Sequence, residues 1–287
     1  MSKIGVASRI SKIIKDNEFY IKKKYGQNFL VDQNILKKIV NEANLDENTL
    51  VIEIGPGFGS LTEHLISNSK HVLAYEIDED FVSHLTTTFD KEEFTLIHED
   101  VLKRDIDADI ASLGVDFSQV VMVANLPYYI TTAVIMKVLE KTKSINRMIV
   151  MMQYEVAKRM TSKPDTKDYN SLSIAIQYRA LAKYLFKVPN TVFIPKPKVD
   201  SAIISLDIYK ENPFSVGNEE LFFEIVKTSF KQRRKTLYNN LKGLEFVTTE
   251  EIKNEINKLG LSETVRAEAL DLNVFIELSK GLGKYKA

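Results

Sequence analysis

Three places in this sequence combine residue types and spacing that could do chemistry. The first is Glu53-Ile54-Gly55-Pro56-Gly57-Phe58-Gly59-Ser60, which follows a short apolar stretch. Glycines in such a turn let the backbone bend sharply and approach a ligand closely. A second apolar stretch ends at Glu76, within Tyr75-Glu76-Ile77-Asp78. That is the usual distance for a carboxylate that grips both hydroxyls of a ribose. To this point a nicotinamide dinucleotide and S-adenosylmethionine fit alike. Ser60, standing where the dinucleotide fingerprint has its last glycine, favours the latter. So does Asp100, which ends a third apolar stretch in Ile97-His98-Glu99-Asp100, because an acid there can accept from an adenine amino group. The plain alternative for Asp100 is a turn residue. Taken in series, Gly55, Glu76 and Asp100 outline an adenosine-shaped site.

The third place is Asn125-Leu126-Pro127-Tyr128, after a fourth apolar stretch. The exocyclic amine of adenine is a poor nucleophile, because its lone pair is delocalised into the ring. Two fixed acceptors, the Asn125 side-chain oxygen and the Leu126 backbone carbonyl, would draw that nitrogen toward tetrahedral geometry. Pro127 lacks an N–H and stiffens the turn, which preorganises those acceptors. Tyr128 supplies a flat face on which a base can stack. A sulfonium is an excellent leaving group, so in-line placement is most of the catalysis and no strong general base is required. The alternative is an Asn-Leu-Pro-Tyr turn of no chemical interest.

These segments need a scaffold, and the pattern around them supplies one. Leu50–Ile54, Val72–Tyr75, Phe94–Ile97, Val120–Ala124 and Met148–Met152 are short apolar runs of the kind buried on both faces of a parallel sheet. Helix-length stretches such as Ser60–Ser67 and Thr132–Glu140 separate most of them, which predicts βαβ units. Asp32 is placed to cap a helix bearing Ile35, Leu36, Ile39 and Val40. Two later runs, Tyr184–Val188 and Ala202–Ile208, look like a closing hairpin at one edge. Residues 209–219 read as a linker, and 220–287 show helical spacing with breaks at Gly243, Gly260 and Gly281.

Composition narrows the classes. The 287 residues suffice for one large domain and a smaller one. There is no cysteine, which excludes disulfides, thiolate metal sites and a cysteine nucleophile. His64, His71, His84 and His98 fall at no metal-binding spacing, so no metal is expected. No apolar run is long enough to cross a bilayer, and Lys12, Lys15 and Asp16 interrupt any leader peptide. A soluble, cytoplasmic protein is the expectation. The zero net charge hides an uneven distribution: residues 41–120 hold four Lys/Arg against eighteen Asp/Glu, and residues 121–210 hold fourteen against six. Basic faces attract phosphates, although solvated faces with no partner would look the same.

The motifs together closely resemble the KsgA-type small-subunit (16S) rRNA adenine dimethyltransferases, over almost the whole chain. Tyr25-Gly26-Gln27-Asn28-Phe29-Leu30 is similar to that family's G-Q-N-F-L motif, which implies that Asn28 and Leu30 touch the cofactor. Gly55, Glu76, Asp100 and Asn125 match the remaining cofactor positions. Phe193, in Val192-Phe193-Ile194-Pro195-Lys196-Pro197, matches a second aromatic at the target adenine. Gln232-Arg233-Arg234-Lys235-Thr236 matches a segment of the helical C-terminal domain. Two departures are small: Tyr129 stands where many relatives have Asn, and Phe58 sits at a variable place in the glycine loop.

The resemblance implies a Rossmann-like class I methyltransferase fold. It has a seven-stranded, mostly parallel sheet with an antiparallel edge hairpin, plus a small all-helical C-terminal domain. The expected division is a basic segment over 1–31, a methyltransferase domain over 32–210 and helices over 211–287. The implied cofactor is S-adenosylmethionine, and the implied partner is small-subunit rRNA within a ribosomal particle, met by a monomer. Lys22, Lys23 and Lys24, with Arg233, Arg234 and Lys235, are the expected RNA anchors. The nearest alternative is the Erm type, which methylates the same amine in large-subunit rRNA. A non-catalytic scaffold, a DNA adenine methyltransferase and a nicotinamide dehydrogenase leave more of the motifs unexplained.

Overall fold

Strands rich in Val, Ile, Leu and Met, with no polar alternation, are stable only where both faces are covered. The computed structural model, which describes residues 28–286, meets that condition. Strand β1 (Phe29–Leu30) stands outside the main sheet. The main sheet takes β2 (Thr49–Ile54), β3 (His71–Glu76), β4 (Phe94–His98), β5 (Gln119–Asn125) and β6 (Arg147–Gln153). Neighbours among these five pair in parallel. All six residues of β2 are buried. The later strands are β7 (Ala180–Val188), the short β8 (Phe193–Ile194) and β9 (Ser201–Ile208). The seven-stranded order is β4-β3-β2-β5-β6-β9-β7, with β9 antiparallel to β6. The closing pair expected at one edge is therefore present, with β9 lying inside β7.

The order has one reversal. From β2 the chain builds outward through β3 and β4, then returns to place β5 on the other side of β2. The carboxyl ends of β2 and β5 therefore flank a topological switch point, where open α/β sheets leave a crevice for ligands. Register carries this across the sheet: Ile54 pairs with Tyr75 on one side and Ala124 on the other. The turns after β2, β3, β4 and β5 thus share one rim.

The helices of this part are α1 (Gln33–Ala43), α2 (Thr62–Ile66), α3 (Glu79–Thr88), α4 (Ile106–Ser112) and α5 (Thr131–Lys141). Asp32 caps α1 as expected, its Oδ1 accepting from Asn34 N at 2.8 Å and Ile35 N at 3.1 Å.

Helix α6 (Tyr154–Thr161) runs across the boundary between two compact units. Among the described residues, 28–157 and Lys183–Ile208 form the first; Lys158–Ala182 and the chain from Tyr209 form the second. The segment 158–182, which the sequence reading places within 32–210, packs with the helical part instead. Its Tyr169, Ile174 and Tyr178 belong to the core built by Phe222, Ile225 and Phe275, and the Tyr169 hydroxyl donates to Leu270 O at 2.9 Å. The helices of this second unit are α7 (Ser171–Arg179), α8 (Glu219–Ser229), α9 (Leu237–Leu241), α10 (Thr249–Lys258) and α11 (Leu272–Gly283).

Of the three expected glycine breaks, Gly243 and Gly260 follow helix ends, but Gly281 lies inside α11. The reason is space: a Cβ there would sit 2.3 Å from Oε2 of the buried Glu255. Gly281 is a packing residue and not a terminator.

Candidate functional site

The switch-point crevice holds a cavity, and the sequence-predicted residues of the first unit line it. Asn28, Leu30, Gly55, Glu76, Asp100, Asn125, Leu126, Pro127, Tyr128 and Phe193 all contribute.

Gly55 has φ +69°, a conformation that side-chain-bearing residues rarely adopt, and a Cβ built there would meet nothing within 4 Å. The turn therefore presents bare backbone to open space. Glu76 is buried at 6% exposure and already engaged. Its Oε1 accepts from Ile77 N at 2.8 Å and Asp78 N at 2.9 Å, and its Oε2 accepts from Gly57 N at 3.2 Å. The carboxylate thus ties the glycine turn to the end of β3. Two oxygens carry about four acceptor sites, so capacity remains for a ligand hydroxyl. Burial pushes the Glu76 pKa above the usual carboxylate range, against the pull of those three N–H bonds.

Asp100 is a turn residue placed at the cavity. Its Oδ1 caps the 3-10 turn Val101–Lys103 by accepting from Leu102 N at 2.9 Å, and the residue also lines the cavity. Asn125 ends β5, and its Nδ2 donates to Asn28 O at 3.4 Å, a long bond that leaves Oδ1 as the amide's acceptor toward a ligand. The Pro127 carbonyl accepts from Ile130 N and from the Thr131 hydroxyl, both at 3.1 Å, which locks the motif onto the start of α5. The Tyr128 hydroxyl shares a 2.8 Å hydrogen bond with Ser201 Oγ on β9, and burial raises its pKa.

Two distant motifs meet through β1. Phe29 pairs with Ile194 and Leu30 with Phe193, and Val31 N donates to Val192 O at 3.0 Å. The Phe29-Leu30 end of the G-Q-N-F-L segment is thereby held against the segment bearing the second aromatic. Phe193 is only 4% exposed, so its ring is partly a core residue as well as a wall of the cavity.

Sequence reasoning passed over two residues. Phe58, read as a variable loop position, is 1% exposed. Its ring centroid lies 4.5 Å from that of Phe29 and 4.9 Å from that of Phe81, so it clamps the glycine turn between β1 and α3. Apolar spacing could not reveal this, because the three rings come from three separate elements. Glu53 is 2% exposed, lines the cavity and accepts from the Thr62 hydroxyl at 2.7 Å. Burial, with the Glu76 charge adding to it against the Thr62 hydrogen bond, pushes its pKa up to about 8. A buried acid inside an otherwise apolar strand was the available signal.

Lys22, Lys23, Lys24 and the first residues of the G-Q-N-F-L segment lie outside the described residues. Arg233, Arg234 and Lys235 are exposed, and Arg233 Nη2 donates to Lys167 O. That bond brings Lys167, flanked in sequence by Asp165 and Asp168, beside the cluster within the same unit.

A parallel sheet with this strand order, a glycine turn after the first core strand and acids after the next two define a Rossmann-like class I methyltransferase. The chain belongs to the ribosomal RNA adenine dimethylase family, whose model matches residues 18–280, and is a methyltransferase of that family. It is 46% identical over 285 residues to ribosomal RNA small subunit methyltransferase A of Geobacillus thermodenitrificans, covering 97% of each chain. The protein of the same name from Bacillus pumilus is 44% identical over 287 residues, covering 98% of each. Among solved structures, a dimethyladenosine transferase from Plasmodium falciparum superposes with TM-score 0.74 at 24% identity, covering 89% of this chain and 98% of that one. The 23S rRNA methyltransferase ErmE superposes with TM-score 0.67 at 22% identity, covering 88% and 99%. At these identities the two structures speak to the fold alone.

Proposed function

We propose that this protein transfers methyl groups from S-adenosylmethionine to the exocyclic amines of two adjacent adenosines near the 3′ end of small-subunit rRNA. The product is N6,N6-dimethyladenosine, formed during small-subunit assembly. The observation that carries this is the shared rim: Gly55, Glu76 and Asp100 follow neighbouring strands and line the same cavity as Asn125–Tyr128. When bound, the cofactor supplies an electrophilic methyl group on a sulfonium.

The residues then divide the work. Bare backbone at Gly55 admits close approach, Glu76 accepts from ribose hydroxyls and Asp100 from the adenine amine of the cofactor. Asn28 and Leu30 close the site from β1. For the target base, Asn125 Oδ1 and the Leu126 carbonyl accept from the reacting amine, and Tyr128 with Phe193 brackets the flipped ring. Removal of the amine proton after transfer needs only solvent, because the alkylated nitrogen is far more acidic than the free amine.

Near-full-length identity to enzymes named for the small subunit favours that substrate over the large-subunit, Erm-type alternative, which the fold alone does not separate. The domain reading is a methyltransferase unit with a helical unit that presents Arg233, Arg234 and Lys235 to RNA. A cytoplasmic monomer is the proposed working form. The test is to offer labelled S-adenosylmethionine with small subunits, large subunits and DNA, then digest and identify the labelled nucleoside. Label in dimethyladenosine from small subunits supports the proposal. Label from large subunits transfers the enzyme to the other branch, and label in DNA refutes both.

A further inference from the structure

We propose that Lys137 is a positioning residue that sets the adenine selectivity of the cofactor pocket, by holding the Asp100 turn against the helix that follows the catalytic motif. The inference rests on the reading that Asp100 accepts from the cofactor's adenine amine.

Asp100 sits at the start of a turn with little stiffness of its own. Val101–Lys103 is three residues of 3-10 helix, closed by two backbone bonds, Lys103 N to Asp100 O at 2.9 Å and Arg104 N to Val101 O at 3.2 Å, which leaves acceptor capacity on its carbonyls. Lys137 Nζ uses that capacity: it donates to Val101 O at 2.9 Å, to Leu102 O at 2.8 Å and to Arg104 O at 2.5 Å. An ammonium has three hydrogens, so all of its donor capacity goes to this one turn. A lysine that merely solvated a helix face would have no reason to converge on three carbonyls some 33–36 residues away in sequence.

The helix that carries Lys137 also carries the chemistry. Helix α5 begins at Thr131, whose hydroxyl, with Ile130 N, holds the Pro127 carbonyl of the catalytic motif. Lys137 is less than two helical turns further on. One rigid element thus fixes the Asn125–Tyr128 turn at one end and the Asp100 turn along its side. A second tether reaches the ribose acid. The Arg104 guanidinium pairs with the carboxylate of Asp109, which also accepts from the Tyr75 hydroxyl at 2.9 Å, and Tyr75 directly precedes Glu76. The base acid, the ribose acid and the catalytic turn are cross-linked at a distance from the ligand, and Lys137 is the central node.

Substitution therefore acts on selectivity and not only on stability. The probes are S-adenosylhomocysteine and S-inosylhomocysteine, which replaces the 6-amino donor with a carbonyl oxygen. Binding of each is measured by calorimetry to the full chain. For the natural protein the adenine compound should bind about tenfold tighter or more, as expected when one polar partner is mismatched in a partly dry site. In Lys137→Met, which keeps the stem's packing, that ratio should fall about fivefold or more, chiefly through weaker binding of the adenine compound. Lys137→Arg, which still donates to carbonyls, should recover most of it. Asp100→Ala is the control. If Asp100→Ala keeps the natural ratio, the Asp100 reading fails and the inference falls with it. If Asp100→Ala abolishes the ratio while Lys137→Met leaves it untouched, the Asp100 reading stands and the inference alone is overturned. Equal weakening of both compounds in Lys137→Met, with a lower melting temperature, also overturns it, because that is what a purely structural lysine would give.

Discussion

Replacing Glu76 by alanine or by glutamine separates two jobs that the geometry gives to one carboxylate. As an anchor it accepts from the backbone N–H groups of Gly57, Ile77 and Asp78. As a binding group it is proposed to accept from two ribose hydroxyls. Alanine strands all three N–H groups, and a buried donor left alone costs about 1–3 kcal/mol. The cavity beside them admits water, so the low end applies to each, and the fold should lose roughly 3 kcal/mol. Glutamine keeps one oxygen, which can still serve Ile77 and Asp78, and turns its NH2 toward the Gly57 N–H. One lost bond costs about 1 kcal/mol. At about 2–4 °C per kcal/mol for a unit of this size, alanine should lower the cofactor-free melting temperature by roughly 6–12 °C and glutamine by roughly 2–4 °C. Affinity for S-adenosylmethionine should fall about 5- to 150-fold in the alanine variant, from about 1–3 kcal/mol of lost acceptor. Calorimetry and a thermal melt on the same preparation give both numbers. Unchanged affinity would remove Glu76 from the cofactor site. A melting temperature equal to that of the natural protein would refute its role as the anchor of the glycine turn.

Four further outcomes are expected. The Glu53 pKa rises from 4.5 unfolded to about 8 folded, so the folded state holds the extra proton between those values. That stability is complete below the unfolded pKa and is lost as pH climbs toward 8, whereas Glu53→Gln should lack this loss and show a shallower denaturation profile over the same range, the difference reaching a few kcal/mol. Tyr128→Ala should reduce methyl transfer with cofactor affinity nearly intact, and Tyr128→Phe, which loses only the Ser201 hydrogen bond, should change it little; loss of cofactor binding in either would redraw the division of the site. Phe58→Ala should destabilise by about 3–5 kcal/mol and weaken cofactor binding together, since it empties the ring cluster behind the glycine turn; a stable variant in denaturant titration contradicts this. Arg233→Ala with Arg234→Ala should weaken small-subunit binding and flatten its salt dependence. A lower melting temperature with binding untouched would mark that cluster as structural.

The sheet was legible because its inner strands are buried on both faces, which leaves continuous apolar runs such as Val120–Ala124 that no surface strand would show. The cofactor row was legible for a related reason: a strand end exposes few residues, so a glycine or an acid there stands out against its apolar neighbours. What stayed hidden is what arises between elements. Ile174 and Tyr178 have the spacing of any buried helix, Tyr169 stands just before it, and nothing local says which core they join. Phe58 becomes a clamp only when β1 and α3 deliver Phe29 and Phe81 to it. Gly281 reads as a helix break until Glu255 occupies the space a side chain would need. Each of these depends on contacts across tens of residues, and periodicity carries no information at that range.

The zero net charge, an odd value for an RNA enzyme, looks different once the acids are placed. The acidic stretch 41–120 spends many of its carboxylates on internal work. Glu53 and Glu76 are buried in the cavity wall, Asp78 and Asp105 cap helices α3 and α4, Asp100 caps its turn, and Asp109 is paired with Arg104. Glu53, with its pKa pushed up to about 8, carries little charge at neutral pH, and the other carboxylates meet N–H groups, helix N-termini and a guanidinium a few ångströms away. At physiological salt a charge is felt for about 8 Å, so acids committed in this way do little to repel a phosphate on another face. The exposed Arg233, Arg234 and Lys235 carry, among the described residues, no such structural duty beyond the Arg233 bond to Lys167 O. The formal sum therefore counts together charges that a phosphate would meet and charges that are already answered inside the fold. A balanced total is what results when one chain spends acids on its own caps, pairs and cavity wall and leaves bases on its surface.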